Sequence, residues 1–124
     1  EENLETLTQL VHSAYLAENY QIADELLQAL KNNISNLPDS LLWLEMEIYL
    51  KLEKYLEILN ALSLIEVHQN QDSDVFLATS FLRAKAYWGL GQKEKALEII
   101  EGLSQLKPGY RSCETLLETW KGQL

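Results

Sequence analysis

The stretch from Phe81 to Pro108 reads FLRAKAYWGLGQKEKALEIIEGLSQLKP and holds the clearest structural pattern in the chain. Apolar residues recur at helical spacing on both sides of Gly89-Leu90-Gly91. Glycine accepts the backbone conformations of a tight turn, and proline cannot continue a helix. The stretch therefore predicts two helices that are joined by a glycine-containing turn and are followed by a break at Pro108.

Two earlier segments carry weaker copies of this helix pair. In the first segment, the apolar period breaks at Glu18-Asn19 and resumes at Ile22. In the second, one apolar stripe begins at Leu41 and another at Leu56. A polar stretch from His68 to Asp74 then predicts a loop before the third pair. The chain is therefore expected to form three helix pairs and to belong to the all-α class.

A last apolar stripe follows Pro108. Its members are Cys113, Leu116, Leu117 and Trp120. Ser112 stands where a helix of this extent would take its N-terminal capping residue. The stripe predicts a seventh helix over residues 112–123 that covers the exposed end of the third pair, as terminal elements of stacked arrays do.

The composition is that of one folded domain spanning residues 1–124. Hydrophobic residues make up 47% of the chain and charged residues 23%. No uncharged apolar run approaches the ~18 residues of a membrane span, and no secretory signal is visible. A cytoplasmic location is the expectation, and Glu1 at the first position is what a processed or excised chain would show.

The formal net charge of −9 is distributed unevenly along the chain. Residues 1–38 carry −5 and residues 39–76 carry −6, whereas residues 77–124 carry +2. Nucleic-acid binding requires a clustered positive field, so a nucleic-acid partner is not expected. The acidic part favours a partner with basic residues, or simply keeps the domain soluble.

The sequence holds no pattern of an enzyme or a metal site, and no catalytic residue, metal or cofactor is expected. Cys113 is the single cysteine, which excludes an intrachain disulfide and a cysteine-based zinc site. Neither His12 nor His68 has a neighbour at ligand spacing. Glu45 and Glu47 lie two residues apart on a predicted helix, so they should face different directions rather than act as a carboxylate pair.

Helix pairs that recur about every 34 residues indicate a helical repeat array. The matching positions of the third pair are Tyr87, Gly91, Ala96, Ile100, Leu103 and Pro108. Those of the first are Val11, Ala14, Glu18, Tyr20, Ala23, Leu27 and Leu30, and those of the second are Met46, Tyr49, Glu53, Tyr55, Ile58, Leu62 and Ile65. In order and spacing, these residues resemble the tetratricopeptide repeat, with repeats over residues 4–37, 39–72 and 77–110.

The sequence departs from the family pattern at identifiable positions. Ile58 stands where the family has a small residue, and the first two repeats lack the turn glycine. The spacing is 35 residues from Ala23 to Ile58 and 38 from Ile58 to Ala96, so the loops must absorb the difference. A generic array of helical hairpins is the alternative architecture.

The resemblance implies a right-handed α-solenoid of three antiparallel helix pairs with a seventh, capping helix. In this family the first helix of each pair lines a concave groove. By alignment, the groove residues are His12, Tyr15, Trp43, Leu44, Glu47, Lys51, Phe81, Leu82, Lys85 and Trp88. Trp43 could alternatively pack between repeats, because it lies one residue from the family's tryptophan position, and Phe81 could fill the joint between the second and third repeats.

The function implied is a non-catalytic protein-interaction module that binds a peptide or an amphipathic helix in an apolar, aromatic groove. A clamp for a C-terminal carboxylate is not expected, because the inward positions that would need cations hold residues such as His12, Leu44 and Leu82. Two alternatives stay open. One is a bacterial secretion-type chaperone that shields an apolar segment, and the other is a structural or oligomerisation segment that self-associates.

Overall fold

The computed structural model describes residues 2–34, 37–68 and 73–124, which form seven α-helices, one short 3-10 helix and no β-strand. The α-helices are α1 (Glu2–Leu16), α2 (Tyr20–Lys31), α3 (Asp39–Lys51), α4 (Tyr55–His68), α5 (Ser73–Gly89), α6 (Lys93–Leu106) and α7 (Cys113–Gly122). The 3-10 helix, Tyr110–Ser112, leads into α7. The all-α prediction is confirmed. The predicted loop is shorter than expected, because α4 includes His68 and α5 includes Ser73 and Asp74; residues 69–72 lie outside the described part.

The chain divides into two compact units. Unit 1 comprises Glu1–Lys54 and contains α1, α2 and α3. Unit 2 comprises Tyr55–Leu124 and contains α4 to α7. The division falls inside the second predicted repeat, at the turn that follows α3.

Unit 1 is built on α2, which packs against both α1 and α3. The centre of its core is fully buried and consists of Val11, Ala23, Leu27 and Ile48. Burying a large aliphatic side chain contributes about 1.5–3 kcal/mol, so this small cluster is a main source of stability for the unit. The predicted break at Glu18-Asn19 separates α1 from α2, and the Asn19 side chain caps α2 by accepting a hydrogen bond from the Ile22 N–H at 3.4 Å.

Unit 2 is built on α5 and α6, and it is completed by α4 against α5 and by α7 against α6. Its core comprises Leu77, Phe81, Ala84, Ala96, Ile100, Leu103, Cys113 and Trp120. Ala84 on α5 and Ala96 on α6 are completely buried, so small side chains lie at the centre of this helix pair. Leu117 and Trp120 of α7 pack in or against this core, as predicted for the last helix.

The two glycines of the third helix pair have different roles. Gly91 lies in the turn with φ +86°, a conformation that side-chain-bearing residues adopt only at a cost. Gly89 is the last residue of α5, and a Cβ at this position would lie only 2.2 Å from the ring of Tyr55. Gly91 therefore makes the turn, whereas Gly89 leaves room for an aromatic ring of α4.

The start of α7 differs from the sequence expectation. Ser112 does occupy the N-cap position, but its φ is 57° and its side chain forms no capping hydrogen bond. The nearby backbone is instead held by Glu114, whose two carboxylate oxygens accept the Gly109 N–H at 3.1 and 3.0 Å. A carboxylate in the first turn of a helix is also favoured by the helix dipole.

The same turn follows α1, α3 and α5. Each turn has one residue with positive φ: Glu18 at 60°, Glu53 at 58° and Gly91 at 86°. The N–H of the next residue then bonds to a carbonyl five residues earlier, from Asn19 to Ala14 at 2.9 Å, from Lys54 to Tyr49 at 2.8 Å and from Gln92 to Tyr87 at 2.9 Å. This pattern is the Schellman motif that commonly ends helices. The turns after α1 and α3 therefore have the same geometry as the turn after α5 although they lack glycine. In each of them a glutamate adopts the left-handed conformation.

Substitutions at the turn residues should shift stability in opposite directions. Gly91→Ala should lower the free energy of unfolding by about 1–2 kcal/mol, because a Cβ disfavours the left-handed conformation. Glu53→Gly should raise it by about 0.5–1 kcal/mol, because the relief of this cost exceeds the entropy that glycine adds to the unfolded chain. Urea unfolding measures both changes. Glu53→Ala is the control, and a stabilisation equal to that of Glu53→Gly would show that the carboxylate, not the backbone, is responsible.

Candidate functional site

The ten residues predicted to line a groove lie in both units. In unit 1, α1 carries His12 and Tyr15, and α3 carries Trp43, Leu44, Glu47 and Lys51. In unit 2, α5 carries Phe81, Leu82, Lys85 and Trp88. The surroundings of the two sets differ.

In unit 1, an aromatic contact joins the end of α1 to the start of α2. The half-buried rings of Tyr15 and Tyr20 have their centroids 5.6 Å apart and are tilted by 59°. The Lys51 ammonium at the end of α3 lies 5.7 Å from the centre of the Tyr20 ring, within reach of a cation–π attraction. Three helices therefore contribute to one cluster.

Charged groups of α3 act on the Tyr15 phenol. Burial raises the pKa of Tyr15, Glu47 raises it further, and Lys51 acts in the opposite direction. Glu47 and Lys51 are four residues apart on α3 and therefore share one face of the helix. We define Tyr15, Tyr20, Glu47 and Lys51 as the tyrosine cluster. It offers two aromatic rings, a protonated phenol, a carboxylate and an ammonium group.

The other predicted residues of unit 1 flank this cluster along the same helices. His12 precedes Tyr15 by one turn of α1 and has an exposed side chain. Trp43 precedes Glu47 by one turn of α3 and is half-buried. Leu44 packs against the core of unit 1. An exposed imidazole and a partly accessible indole thus adjoin the tyrosine cluster, whereas Leu44 mainly supports it.

The predicted residues of unit 2 are largely covered. Phe81 is 8% exposed and Leu82 is 2% exposed, so both side chains belong to the interior. The half-buried Trp88 stacks on Trp120 of α7, with ring centroids 4.5 Å apart and ring planes 3° from parallel. Lys85 is half-buried, and its ammonium lies 5.5 Å from the centre of the Phe81 ring. This face of α5 therefore packs against the C-terminal segment.

A network of buried charges in unit 1 was not anticipated from the sequence. Asp24 of α2 is 3% exposed and Glu45 of α3 is 2% exposed. Lys54, in the turn after α3, pairs with Asp24 at 2.5 Å, and Lys31 of α2 pairs with Glu45 at 2.6 Å. Each buried carboxylate therefore has an ammonium partner, which buried ions require. Glu45 and Glu47 do face different surroundings, as their spacing predicts.

Neutral side chains link the two ion pairs into one network. The Tyr49 hydroxyl donates to Glu45 Oε2 at 2.7 Å. The Gln28 amide donates to Asp24 Oδ1 at 3.0 Å and to the Tyr49 hydroxyl oxygen at 3.1 Å. These contacts fix α2, α3 and the following turn against one another. The available sequence signal was the four-residue spacing of Asp24 with Gln28 and of Glu45 with Tyr49.

Alkaline pH should destabilise unit 1 through Tyr49. Burial, followed by the hydrogen bond to Glu45, raises the pKa of Tyr49 well above its ordinary value of about 10. Above pH ~10 the phenol of the unfolded chain loses its proton, whereas the phenol of the folded chain keeps it. The contribution of Tyr49 is therefore complete below pH ~10 and falls by up to about 1.4 kcal/mol per pH unit above it.

The free energy of unfolding of the wild type and of Tyr49→Phe, measured by urea titration between pH ~8 and ~11, checks this expectation. Tyr49→Phe should be less stable at neutral pH, because Glu45 loses a hydrogen-bond donor, and its stability should decline less steeply in alkali. The lysines titrate in both proteins, so the difference between the two slopes isolates the phenol. Parallel slopes would contradict the expectation.

Comparison with known proteins gave no match: no family model, no curated protein and no solved structure matches this chain significantly. Within the described ranges, no helix is long and apolar enough to cross a membrane. In the same part of the chain, no group of three or more histidine, cysteine or acidic side chains is placed to hold a metal ion.

Proposed function

We propose that this chain is a non-catalytic protein-interaction module of the tetratricopeptide-repeat kind. The observation that carries the proposal is the turn shared by α1, α3 and α5. Its left-handed residue recurs at Glu18, Glu53 and Gly91, with the same hydrogen bonds each time. A repeated helix–turn–helix unit is the structural basis of arrays that bind other proteins.

The proposed architecture is a right-handed α-solenoid of three antiparallel helix pairs with α7 as its cap. Packing of α1 against α2 in unit 1 and of α5 against α6 in unit 2 supports this arrangement. The burial of Ala23, Ala84 and Ala96 supports it as well, because small residues at these positions allow close contact between paired helices.

The proposed binding surface centres on the tyrosine cluster together with His12 and Trp43. Tyrosine and tryptophan side chains are common anchors of protein interfaces, because each offers a large apolar area and a polar group. Residues 1–54 carry three lysines and ten acidic residues, a formal charge of −7. The partner proposed for this surface is a peptide or amphipathic helix with apolar anchors and basic residues.

Truncating the aromatic anchors tests the proposal. Proteins captured by the wild-type chain are identified by mass spectrometry, and the affinity of a purified partner fragment is then measured for Tyr15→Ala and Trp43→Ala. Each substitution should weaken binding by about tenfold or more while helical circular dichroism is retained. Phe76→Ala is the matched control, because it removes an exposed aromatic side chain from unit 2.

The outcome that would contradict the proposal is a partner fragment that binds Tyr15→Ala, Trp43→Ala and the wild type equally. A loss confined to Phe76→Ala would also contradict it, because the binding surface would then lie in unit 2.

A further inference from the structure

Three cationic side chains gather around one aromatic pair in unit 2. The rings of Phe81 and Tyr110 meet edge to face, with centroids 6.2 Å apart. Lys85 and Arg111 lie 5.5 and 5.0 Å from the centre of the Phe81 ring, and Lys107 lies 5.8 Å from that of Tyr110. We call these five residues the basic corner.

The three cations have ring contacts but no carboxylate partner among the described residues. By contrast, Lys31, Lys54 and Lys121 each pair with an acidic side chain. Two acidic groups are near the basic corner. The Glu114 carboxylate is already bound to the Gly109 N–H, and Asp74 is close enough to act on the Tyr110 phenol.

The geometry leaves positive charge concentrated at one place. The electron-rich rings attract the cations, with Lys85 and Arg111 next to Phe81 and Lys107 next to Tyr110, so the aromatic pair gathers three positive charges around it in spite of their repulsion. Lys107 and Arg111 are exposed, and Lys85 and Tyr110 are half-buried, so the charged groups can be reached from solvent. An anion that met Lys85 and Arg111 together would relieve their repulsion and would also engage the guanidinium through two parallel hydrogen bonds.

We propose that the basic corner binds an acidic segment of a partner protein. One carboxylate of the segment would lie between Lys85 and Arg111, a second near Lys107, and an apolar neighbour against the ring of Tyr110. The charge of the partner is opposite to that proposed for unit 1, which agrees with the +2 of residues 77–124 and the −7 of residues 1–54. This site shares no residue with the tyrosine cluster, so it extends the proposed function and can be tested separately.

Fluorescence anisotropy with a labelled peptide of alternating glutamate and leucine tests the inference on the full chain. The peptide should bind, and its counterpart with glutamine in place of glutamate should not. The double substitution Lys85→Gln with Arg111→Gln should weaken binding by about tenfold or more, and Lys107→Gln by a smaller factor. The matched control is Lys93→Gln with Lys95→Gln, which removes the same charge from two lysines that also lie over aromatic rings in unit 2. The control should change the affinity by less than about twofold.

Three outcomes would overturn the proposal. The glutamine peptide could bind as well as the glutamate peptide, the glutamate peptide could fail to bind, or the control pair could weaken binding as much as the test pair. Sedimentation of the free chain tests whether a second copy of this chain occupies the basic corner. A dimer that dissociates in the Lys85→Gln, Arg111→Gln variant would assign the basic corner to a second copy of this chain instead. Circular dichroism shows whether each variant remains folded, and single substitutions replace the double one where it does not.

Discussion

Replacing Trp120 with alanine should lower the free energy of unfolding of unit 2 by about 3–5 kcal/mol. The indole is 5% exposed and belongs to the central core of the unit. Its removal leaves a cavity between α7 and the helices beneath it, because the backbone around a deleted ring relaxes only in part. The parallel stack on Trp88 is lost as well, and an aromatic pair adds about 0.5–1.5 kcal/mol beyond the burial of its area.

Urea unfolding followed by tryptophan fluorescence measures this effect. A Trp43→Phe background restricts the signal to unit 2, because the chain has three tryptophans and the other two are Trp88 and Trp120. Trp120→Phe retains a ring against Trp88 and should lose less than half as much stability. Thr119→Ala, at the exposed neighbouring position, should stay within about 0.5 kcal/mol of the wild type. A loss from Trp120→Ala as small as that of Thr119→Ala would show that α7 contributes little to unit 2.

Replacing Lys54 with methionine should destabilise unit 1 by about 2–3 kcal/mol. The change leaves the buried Asp24 carboxylate with the Gln28 amide as its remaining side-chain partner in the network. A buried charge that loses its counter-ion keeps the full cost of its removal from water. Because the Lys54 side chain is 36% exposed, water can partly replace it, and the effect lies below that of a completely buried pair.

A double-mutant cycle distinguishes the loss of the ion pair from the loss of lysine itself. Asp24→Leu combined with Lys54→Met removes both charges and should recover much of the stability, because apolar side chains often replace a buried ion pair without penalty. Lys51→Met removes an exposed lysine close by that makes a cation–π contact with Tyr20, and it should change stability by no more than about 1 kcal/mol. If Lys54→Met and Lys51→Met are equally mild, the pair with Asp24 contributes nothing measurable.

Most helices could be located from sequence because their burial follows a local rule. Side chains three and four residues apart share a helix face, so the buried positions of α2 and α6 already show as periodic apolar residues. The turn after α5 was equally readable, because Gly91 is the residue type that a left-handed conformation favours. The turns at Glu18 and Glu53 have the same geometry without a glycine. They are predicted instead from the phase of the apolar stripes in the helices on either side of them.

The buried network could not be read in this way. Asp24 and Glu45 are charged residues on amphipathic helices, and such residues are usually exposed. Their burial depends on Lys54 and Lys31, which lie 30 and 14 residues away in the sequence. Only the approach of α2 to α3 creates these pairs, and no local pattern encodes that approach.

In the candidate site, too, some features follow from the sequence pattern and others arise only from the packing of distant segments. The alignment assigns Tyr15, Glu47 and Lys51 to one surface, and the structure places Glu47 and Lys51 close enough to act on the Tyr15 phenol. For Phe81 and Trp88 the alignment assumed an open face on α5. The aromatic residues of the C-terminal segment also need apolar contacts, however, and Trp120 and Tyr110 obtain them by packing against that same face.

The buried thiol of Cys113 is a natural probe for local opening of α7. It is the only cysteine in the chain, it is completely buried at the start of α7, and burial raises its pKa. A thiol reagent can therefore modify the native protein only during moments when α7 separates from the rest of unit 2. The rate of modification of the native protein, divided by that of the unfolded chain, gives the fraction of time for which Cys113 is exposed, and the native measurement needs no engineered label.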